Sequence, residues 1–235
     1  MCIRDRFNIK ETFTIDIRCV IKFQQHLIFY SLLTLVLSPL LLLPKGQIVY
    51  NFNLFEFPYF FNFFKYITYL GDGIFIPILL ILFFFVSKKR KRNFKLISFI
   101  ISCILMVIIV WSSKHLIFDD LSRPFNFFVS KPESWIINDF NLNFHKHKTF
   151  PSGHTAAATI FGLYLMEFTQ NKFKKYFIYL IILIVGASRI YLFQHFFIDV
   201  FIGFYVGFLS VALSRIILLY YMKPKIKKYF ISNFQ

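Results

Sequence analysis

Two polar side chains, His195 and Asp199, lie four residues apart where an apolar stretch begins. If that stretch is helical, both side chains share one face of the helix. A carboxylate in this position accepts a hydrogen bond from one imidazole nitrogen and leaves the other nitrogen free as a base or a nucleophile. The spacing alone also fits an interfacial pair that only caps a helix, so both interpretations stay open at this point.

A second polar group is the sequence PSGH, residues 151–154, at the start of another apolar stretch. Ser152 after Pro151 is suited to cap a helix, and Gly153 lets an anion approach the backbone closely. The free N–H groups and the positive dipole end of a helix start favour phosphate binding. His154 then lies in the first turn, where it can donate a proton. A serine cap with an incidental histidine is the simpler alternative for these residues taken alone.

Three cationic residues, Lys114, Arg123 and Arg189, occur next to these groups in the sequence. Each by itself is typical of a solvated or snorkelling side chain at a membrane edge. Together they suit a phosphoryl group that carries up to two negative charges. Fixed cations stabilise the charge that spreads over the equatorial oxygens during phosphoryl transfer. The combination of residue types therefore indicates phosphate chemistry.

The elements that must position these residues are long apolar segments. The chain has 235 residues, 57% of them hydrophobic, and no charged residue occurs from Leu96 to Ser113. That length crosses most of a hydrocarbon core. We predict an all-α integral membrane bundle of six transmembrane helices with the active site on the outer face. The predicted spans are residues 25–44, 72–87, 96–113, 152–169, 176–191 and 196–221.

The formal net charge of +16 is concentrated in short basic runs beyond the apolar segments. The runs are KKRKR at 88–92, NKFKK at 171–175 and KPKIKK at 223–228, with Lys10, Arg18 and Lys22 nearer the N-terminus. This distribution is typical of cytoplasmic loops, so we predict that both termini are cytoplasmic. It argues against nucleic acid as a partner, because basic residues flank spans instead of forming one surface.

We predict one domain with two terminal segments. Residues 25–221 are the six-span domain, residues 1–24 are an N-terminal segment and residues 222–235 are a basic cytoplasmic tail. The first six residues, MCIRDR, back-translate to a sequence that resembles the end of a transposase-type sequencing adapter. We therefore expect residues 1–6 to be an assembly artefact.

Three outer loops follow from this topology, at residues 45–71, 114–151 and 192–195. They contain or adjoin all the candidate site residues, which places those residues on one face of the membrane. The first loop is aromatic and sparsely charged. We predict that it contains an amphipathic helix in the membrane interface, ended by Gly71 to Gly73.

The three polar groups together resemble the motifs of the type 2 phosphatidic acid phosphatase superfamily, which includes bacterial membrane lipid phosphatases and the vanadium haloperoxidases. The motifs of that family, in order, here read KHLIFDDLSRP (114–124), PSGH (151–154) and SRIYLFQHFFID (188–199). The second and third match in residue type and in spacing. In the first, eight residues separate Lys114 from Arg123, two more than is usual in the family. The resemblance covers about residues 60 to 221.

This resemblance implies a membrane phosphatase that hydrolyses a lipid phosphate or diphosphate through a phosphohistidine intermediate. His195 would be the nucleophile, Asp199 would orient it, and His154 would protonate the leaving group and later help activate water. The phosphoryl oxygens would be bound by Lys114, Arg123, Ser152, Gly153 and Arg189. No metal or other cofactor is implied.

The implied location is a bacterial-type inner membrane, and the implied partner is a lipid phosphate that arrives from the bilayer. Substrates of this kind are undecaprenyl diphosphate, phosphatidylglycerophosphate, phosphatidic acid and the phosphate of lipid A. A phosphotransferase of the same superfamily, with an acceptor other than water, has the same motifs and stays an alternative. A transporter or scaffold that only binds lipid phosphate is the other alternative, although simple binding needs no His–Asp pair.

Two further pairs of polar residues have more than one interpretation. Asp119 and Asp120 fit a cation site, a support for a neighbouring basic side chain, or a solvated loop. His145 and His147 fit a site for a metal or a lipid head group, or again a solvated loop.

Overall fold

The computed structural model describes residues 24–53, 58–86, 89–129 and 147–233. The expected artefact at residues 1–6 and the candidate His145 lie outside the described residues. Within those residues every regular element is helical, which confirms the all-α prediction for that part of the chain.

The helices follow one another along the chain with short connections. They are α1 (Gln24–Leu42), α2 (Gln47–Asn53), α3 (Pro58–Ile67), α4 (Phe75–Val86), α5 (Lys89–Ser112), α6 (Pro124–Val129), α7 (Gly153–Leu165), α8 (Lys172–Tyr191) and α9 (Phe197–Asn233). Single turns of other geometry end or extend four of them. Ser38–Leu42, which ends α1, Thr68–Gly71 and Met166–Phe168 are 3-10 turns, and Ser113–Ile117 is a π-helical turn.

Three stretches in the described part of the chain are long and apolar enough to cross a membrane. They are Gln24–Leu42, Phe94–Ile117 and Phe197–Tyr221. The pair Phe60–Gly71 and Ile76–Leu82, bent by 61°, would make a fourth. Helices occur at all six predicted positions. However, α7 and α8 are not among the stretches that are both long and apolar enough to cross a membrane. The number of crossings therefore stays a prediction.

The chain forms two compact units. Leu40–Arg215 make up the larger unit, and Met1–Pro39 with Ile216–Gln235 make up the smaller one. In the smaller unit the Thr34 hydroxyl donates to the Tyr30 carbonyl at 2.8 Å, one turn back along α1. The larger unit contains all of the candidate site residues. Helix α9 continues beyond residue 221, where the sequence prediction began the tail, to Asn233.

Helix α7 packs at the centre of the larger unit. It contacts α4, α5, α8 and the Thr68–Gly71 turn, and its residues from Thr155 to Tyr164 are all buried. Its approach to α9 is close because Gly203 and Gly207 face it: a Cβ on Gly207 would lie 2.5 Å from the Ala156 carbonyl oxygen. Small residues four apart permit this kind of packing between apolar helices.

The loop predicted at 45–71 contains α2, α3 and the 3-10 turn that ends at Gly71, and α4 begins at Phe75. Helix formation there agrees with the sequence prediction. A Cβ on Gly71 would lie 2.5 Å from the His154 carbonyl oxygen, so this turn packs directly on the first turn of α7. The position of α3 in the membrane interface stays a prediction.

A layer of polar and charged side chains lies at the C-terminal end of α7. Glu167 accepts a hydrogen bond from Arg215 and pairs with Lys95 at 3.0 Å. Beside it, buried hydroxyl groups lie 2.6 to 3.4 Å apart and join α5, α7 and α9; they belong to Ser98, Ser102, Tyr164 and Ser214. Buried polar groups in an apolar bundle need such partners, because none is available from lipid.

Candidate active site

Four helix ends bring the predicted residues together. Lys114 lies in the π-helical turn after α5, His154 in the first turn of α7, and Arg189 in the last turn of α8. His195 lies two residues before the start of α9, and Asp199 lies in its first turn. Residues that are up to 85 positions apart in the sequence thus meet at one end of the larger unit.

The connection between α8 and α9 fixes Arg189 relative to His195. The carbonyl oxygen of Arg189 accepts hydrogen bonds from the backbone N–H groups of Gln194 and His195, at 3.0 and 3.1 Å. Phe193 takes a left-handed conformation with φ of 53° to make this tight turn, although it is not a glycine. Such a conformation persists only where the surrounding contacts hold it. The spacing between Arg189 and His195 in the third motif is therefore set by the number of residues that this turn needs.

His195 and Asp199 form a buried pair, each only 2% exposed. The Nδ1 atom of His195 lies 3.5 Å from Oδ2 of Asp199. The Thr149 hydroxyl contacts both, donating to Asp199 Oδ2 and lying 3.3 Å from His195 Nδ1. The backbone N–H of Phe196 also donates to Asp199 Oδ2, at 2.9 Å. The Nδ1 edge of the imidazole therefore faces Asp199 and Thr149, which leaves the Nε2 edge for other contacts.

Ser152 caps α7 and ties it to α9. Its Oγ accepts from the Thr155 backbone N–H at 3.4 Å and from the Thr155 hydroxyl at 2.9 Å. Its own N–H donates to the Asp199 carbonyl oxygen at 3.0 Å. The N–H groups of the next two residues, Gly153 and His154, are first-turn donors that have no partner within a helix. They are available to an anion at this helix end.

Within the part of the chain that the structure describes, Arg189 has a hydrogen-bond partner at one nitrogen and none at another. Its Nη1 donates to the Thr68 hydroxyl at 2.8 Å, from the turn packed on α7. Its Nε is buried and has no hydrogen-bond partner in the described residues. Arg189 is only 8% exposed, and an unpaired guanidinium donor at that burial is costly unless an acceptor binds there.

Arg123 mainly joins parts of the protein. Its Nε donates to the His147 carbonyl at 3.0 Å, and its Nη1 donates to the carbonyl and the side-chain Oε1 of Gln194, at 3.2 and 3.0 Å. Burial lowers the pKa of Arg123, and the Asp199 carboxylate opposes that effect. This arginine links the segment before α7 to the turn that carries His195.

Lys114 and His154 make no hydrogen bond with their side chains in the described part of the chain. Lys114, Arg123 and Arg189 lie close enough to repel one another electrostatically. The Asp72 carboxylate, which accepts from the Gly73 N–H at 2.7 Å, acts electrostatically on His154 with the sign opposite to that of the three cations. The site thus combines free donors with a strong positive field.

Burial lowers the pKa of His195 well below its ordinary value of 6.5, and the charges of Arg189, Arg123 and Lys114 lower it further. The cause is that a cationic imidazole would lose hydration and also be repelled by the three neighbouring cations. His195 is therefore neutral near pH 7 and keeps a lone pair on one nitrogen.

The other sequence candidates do not contribute side chains to this site. Asp119 and Asp120 are exposed and make no ion pair with Lys114 or Arg123 within the described residues. His147 is exposed as well, and only its backbone carbonyl takes part, through Arg123. These placements favour the solvated-loop interpretation of all three.

Three polar residues of the site were not predicted from the sequence: Thr149, Gln194 and Thr68. Each makes its contact to a predicted residue across a large separation in the chain, so no local pattern marks it. The available signal was that Thr149 and Gln194 are polar residues in aromatic surroundings, in KTFPS and LFQHFF.

An apolar cavity of about 220 Å³ adjoins Asp199 and Thr149. Its remaining lining is formed by Lys45, Phe118, Leu121, Phe150, Phe196 and Ile198. The Lys45 ammonium lies 4.7 Å from the centre of the Phe196 ring, at a distance typical of a cation–π contact. The polar site thus borders an apolar cavity that can contain a hydrocarbon chain.

Comparison with known proteins gives a family and a fold. The model of the PAP2 superfamily matches residues 95–225 of this chain. The chain is similar to the crystal structure of LpxE from Aquifex aeolicus, with 28% sequence identity and a TM-score of 0.57 over 72% of this chain and 93% of that chain. It is also similar in fold to the crystal structure of a transmembrane PAP2 type phosphatidylglycerolphosphate phosphatase from Bacillus subtilis, with 22% identity and a TM-score of 0.54 over 80% and 93%. No curated protein matches the sequence.

Proposed function

This chain belongs to the PAP2 superfamily, and we propose that it is a membrane phosphatase that hydrolyses a lipid phosphate or diphosphate through a phosphohistidine intermediate. The observation that carries the proposal is the buried His195–Asp199 pair beside the unpaired Nε of Arg189 and the start of α7. A nucleophile with an orienting carboxylate is more than phosphate binding requires. In this proposal His195 would supply the attacking atom, and Arg189 and the start of α7 would supply the donors for the phosphoryl group.

The phosphoryl group would bind between α7 and α8. The N–H groups of Gly153 and His154, Arg189 Nε and the Lys114 ammonium would donate to its oxygens. These donors are fixed before substrate arrives, so they stabilise charge that develops on the oxygens without reorganising. Arg123 would add positive field and hold the turn at Gln194 in place.

In the first step the lone pair of His195 Nε2 attacks phosphorus, and the bond from phosphorus to the lipid oxygen breaks. His154 gives its proton to the leaving oxygen, so the alcohol or phosphate leaves in protonated form. The bound phosphoryl group carries up to two negative charges, which favour the imidazolium form of His154 that this transfer needs.

In the second step water attacks the phosphorus of phosphohistidine. His154, now neutral, accepts a proton from the water, and the electron pair of the broken N–P bond returns to His195. Inorganic phosphate leaves with both histidines in their starting states. Asp199 stays ionised throughout and balances the positive charge that the phosphorylated imidazole carries.

The substrate would reach this site from the bilayer. Outward-facing apolar residues on α5, such as Ile104, Val107 and Ile108, are more than half exposed and suit contact with lipid. We propose six spans, α1, α4, α5, α7, α8 and α9, in a bacterial-type inner membrane, with cytoplasmic termini and the site on the outer face. The apolar cavity near Asp199 would receive hydrocarbon of the lipid.

The test is phosphate release by the purified full chain in detergent. The substrates are phosphatidic acid, phosphatidylglycerophosphate, undecaprenyl diphosphate and the phosphate of lipid A. We expect release from at least one of them, and we expect His195→Ala to abolish it while the protein accumulates normally. His115→Ala is the matched control, because His115 is an exposed histidine stacked on Trp111.

Acid-labile phosphoprotein from ³²P-labelled substrate gives a second readout. It should form in wild type and in His115→Ala, and be absent in His195→Ala. Turnover by His195→Ala at the wild-type rate would overturn the proposal. So would binding of all four lipids without phosphate release or phosphoprotein, because that is the behaviour of a binding protein.

A further inference from the structure

We infer that Thr149 is a positioning residue that sets the tautomer of His195 and carries its contact with Asp199. The inference rests on the proposed function, because it concerns the same nucleophile. Thr149 is 2% exposed, and its hydroxyl lies between the two side chains. It is not part of the three sequence motifs, because Phe150 separates it from the PSGH motif.

The direct contact between the pair is longer than either contact that Thr149 makes with them. His195 Nδ1 and Asp199 Oδ2 are 3.5 Å apart, which is an ion-pair distance without a hydrogen bond between the two atoms. The path through Thr149 is shorter at each step: 3.3 Å from Nδ1 to Oγ1, and a short hydrogen bond from Oγ1 to Oδ2. The hydroxyl is therefore the group that links histidine to carboxylate.

Counting protons then fixes the tautomer. A threonine hydroxyl has one hydrogen, and an ionised carboxylate can only accept. Two donors converge on Asp199 Oδ2, the Thr149 hydroxyl and the Phe196 N–H, which favours the ionised form. Since the Thr149 hydrogen is used there, its oxygen can only accept from His195. Nδ1 must therefore carry the imidazole proton, and Nε2 keeps the lone pair.

The backbone around Thr149 holds its hydroxyl in place. Lys148 has a left-handed φ of 61°, and its neighbour His147 gives its carbonyl to Arg123 Nε at 3.0 Å. After Thr149 the chain enters the cap of α7, where Ser152 N–H bonds to the Asp199 carbonyl. Thr149 is thus fixed from both sides relative to the first turn of α9.

In the reaction the Nδ1 proton stays in place. When Nε2 bonds to phosphorus, the ring becomes cationic, and its Nδ1–H bond to Thr149 strengthens while Thr149 donates to the Asp199 carboxylate. No proton has to leave the imidazole for phosphorus to be attacked. Without the hydroxyl, the proton can move to Nε2, and that tautomer has no lone pair for the attack.

The test compares Thr149→Val, which has nearly the same shape without a hydroxyl, with Thr149→Ser, which keeps the hydroxyl. For Thr149→Val we expect kcat to fall about ten- to a hundredfold with KM within about twofold, because orientation and not binding is lost. For Thr149→Ser we expect kcat within about threefold of wild type. The assay is phosphate release by the full chain in detergent.

Thr159→Val is the matched control. Thr159 is also a buried threonine of the same unit, but its hydroxyl has no hydrogen-bond partner among the described residues. The same substitution there should leave kcat and KM at wild-type values. If Thr149→Val does not accumulate, Thr149→Ala takes its place with the same expected loss, since a smaller side chain cannot clash.

A second readout needs no substrate. In ¹⁵N-histidine-labelled protein the His195 signal is assigned by its absence in His195→Gln. Wild type and Thr149→Ser should show the tautomer with the proton on Nδ1, and Thr149→Val should show a mixture. Because this measurement does not depend on turnover, it tests Thr149 even if no lipid phosphate is hydrolysed and the proposed function fails.

The inference is overturned if Thr149→Val keeps the wild-type kcat and the wild-type tautomer while His195→Ala is inactive. It is also overturned if Thr149→Ser loses as much kcat as Thr149→Val, because the hydroxyl would then not be the group that matters.

Discussion

The two arginines of the site differ in how many of their donors the protein already uses. Arg123 donates hydrogen bonds from Nε and Nη1 to carbonyl and amide oxygens of His147 and Gln194. Arg189 has one bond to Thr68 and a buried Nε without a partner. A phosphate that binds Arg189 would supply the hydrogen-bond acceptor that Nε lacks. A phosphate that binds Arg123 would compete with the hydrogen bonds that Arg123 already makes. We therefore expect Arg189, more than Arg123, to bind the phosphate of the proposed substrate.

At the same scale, the low pKa of His195 predicts how activity depends on pH. If His195 is the nucleophile, as proposed, it must be unprotonated, so kcat/KM should fall as the pH falls through the His195 pKa of the free enzyme. Burial and three cations hold this pKa well below 6.5. The acid limb due to His195 therefore lies below pH 6.5. Lys114→Met removes one of those cations and should move the limb to higher pH.

The measurement is kcat/KM between about pH 4 and pH 8 for wild type and Lys114→Met. A phosphate monoester has its own ionisation near pH ~6, but no substitution in the protein changes it. The difference between the two profiles therefore reports the enzyme. Lys172→Met, an exposed lysine at the other end of α8, should leave the limb in place. A limb that stays fixed in Lys114→Met, or lies above pH 6.5 in wild type, contradicts the prediction.

At the scale of elements, the site depends on how closely α9 approaches α7. A Cβ on Gly207 would lie 2.5 Å from the Ala156 carbonyl oxygen and 2.6 Å from the Thr159 Cβ, and neither is the end of a flexible side chain. Gly207→Ala should lower the free energy of unfolding by about 1–2 kcal/mol. Overpacking costs roughly 1–3 kcal/mol, and the better helix propensity of alanine returns up to about 1 kcal/mol.

Gly73→Ala provides the comparison for Gly207→Ala, because a Cβ on Gly73 meets nothing within 4 Å. The readout is reversible unfolding of the purified protein in mixed detergent micelles, followed by circular dichroism. Gly207→Ala should unfold at lower denaturant than wild type and Gly73→Ala at the same concentration. Equal stability of all three would mean that α9 does not pack on α7 as tightly as the distances indicate.

The sequence was informative about helices and motifs for a physical reason. Apolar length determines where a helix can lie in a bilayer, so helices occur at all six predicted positions. Motif spacing reflects local geometry, as in the turn from Arg189 to His195. Thr149 and Gln194 could not be predicted in the same way, because their partners lie 50 and 71 residues away and depend on how the helices pack.

At the scale of the whole molecule, two charged layers in the larger unit are separated by about the thickness of a membrane. Along α9, Asp199 and Arg215 are roughly 24 Å apart at 1.5 Å per residue, and along α5, Lys95 and Lys114 are roughly 28 Å apart. The hydrocarbon core of a bilayer is about 30 Å thick. Helix α7 runs from the layer of the candidate site toward that of Glu167, which lies in the 3-10 turn after its last residue.

This layer spacing predicts the topology, because the two layers must then face opposite sides of the membrane. Asp120 is exposed near the layer of the candidate site, and Gln170 is exposed near the layer of Glu167. In a chain whose native Cys2, Cys19 and Cys103 are replaced by serine, cysteines placed at these two positions report their sides. On intact cells, a membrane-impermeant maleimide should label Asp120→Cys and not Gln170→Cys.

Permeabilised cells provide the control, since both cysteines should then be labelled to the same extent. The expected side comes from the basic runs. The run at 171–175 adjoins Gln170, and the positive-inside rule predicts that it is cytoplasmic. Labelling of Gln170→Cys alone on intact cells would reverse the orientation and put the candidate site on the cytoplasmic face. Labelling of both would mean that α7 does not cross, and the six-span bundle would have to be abandoned even if the phosphatase activity is found.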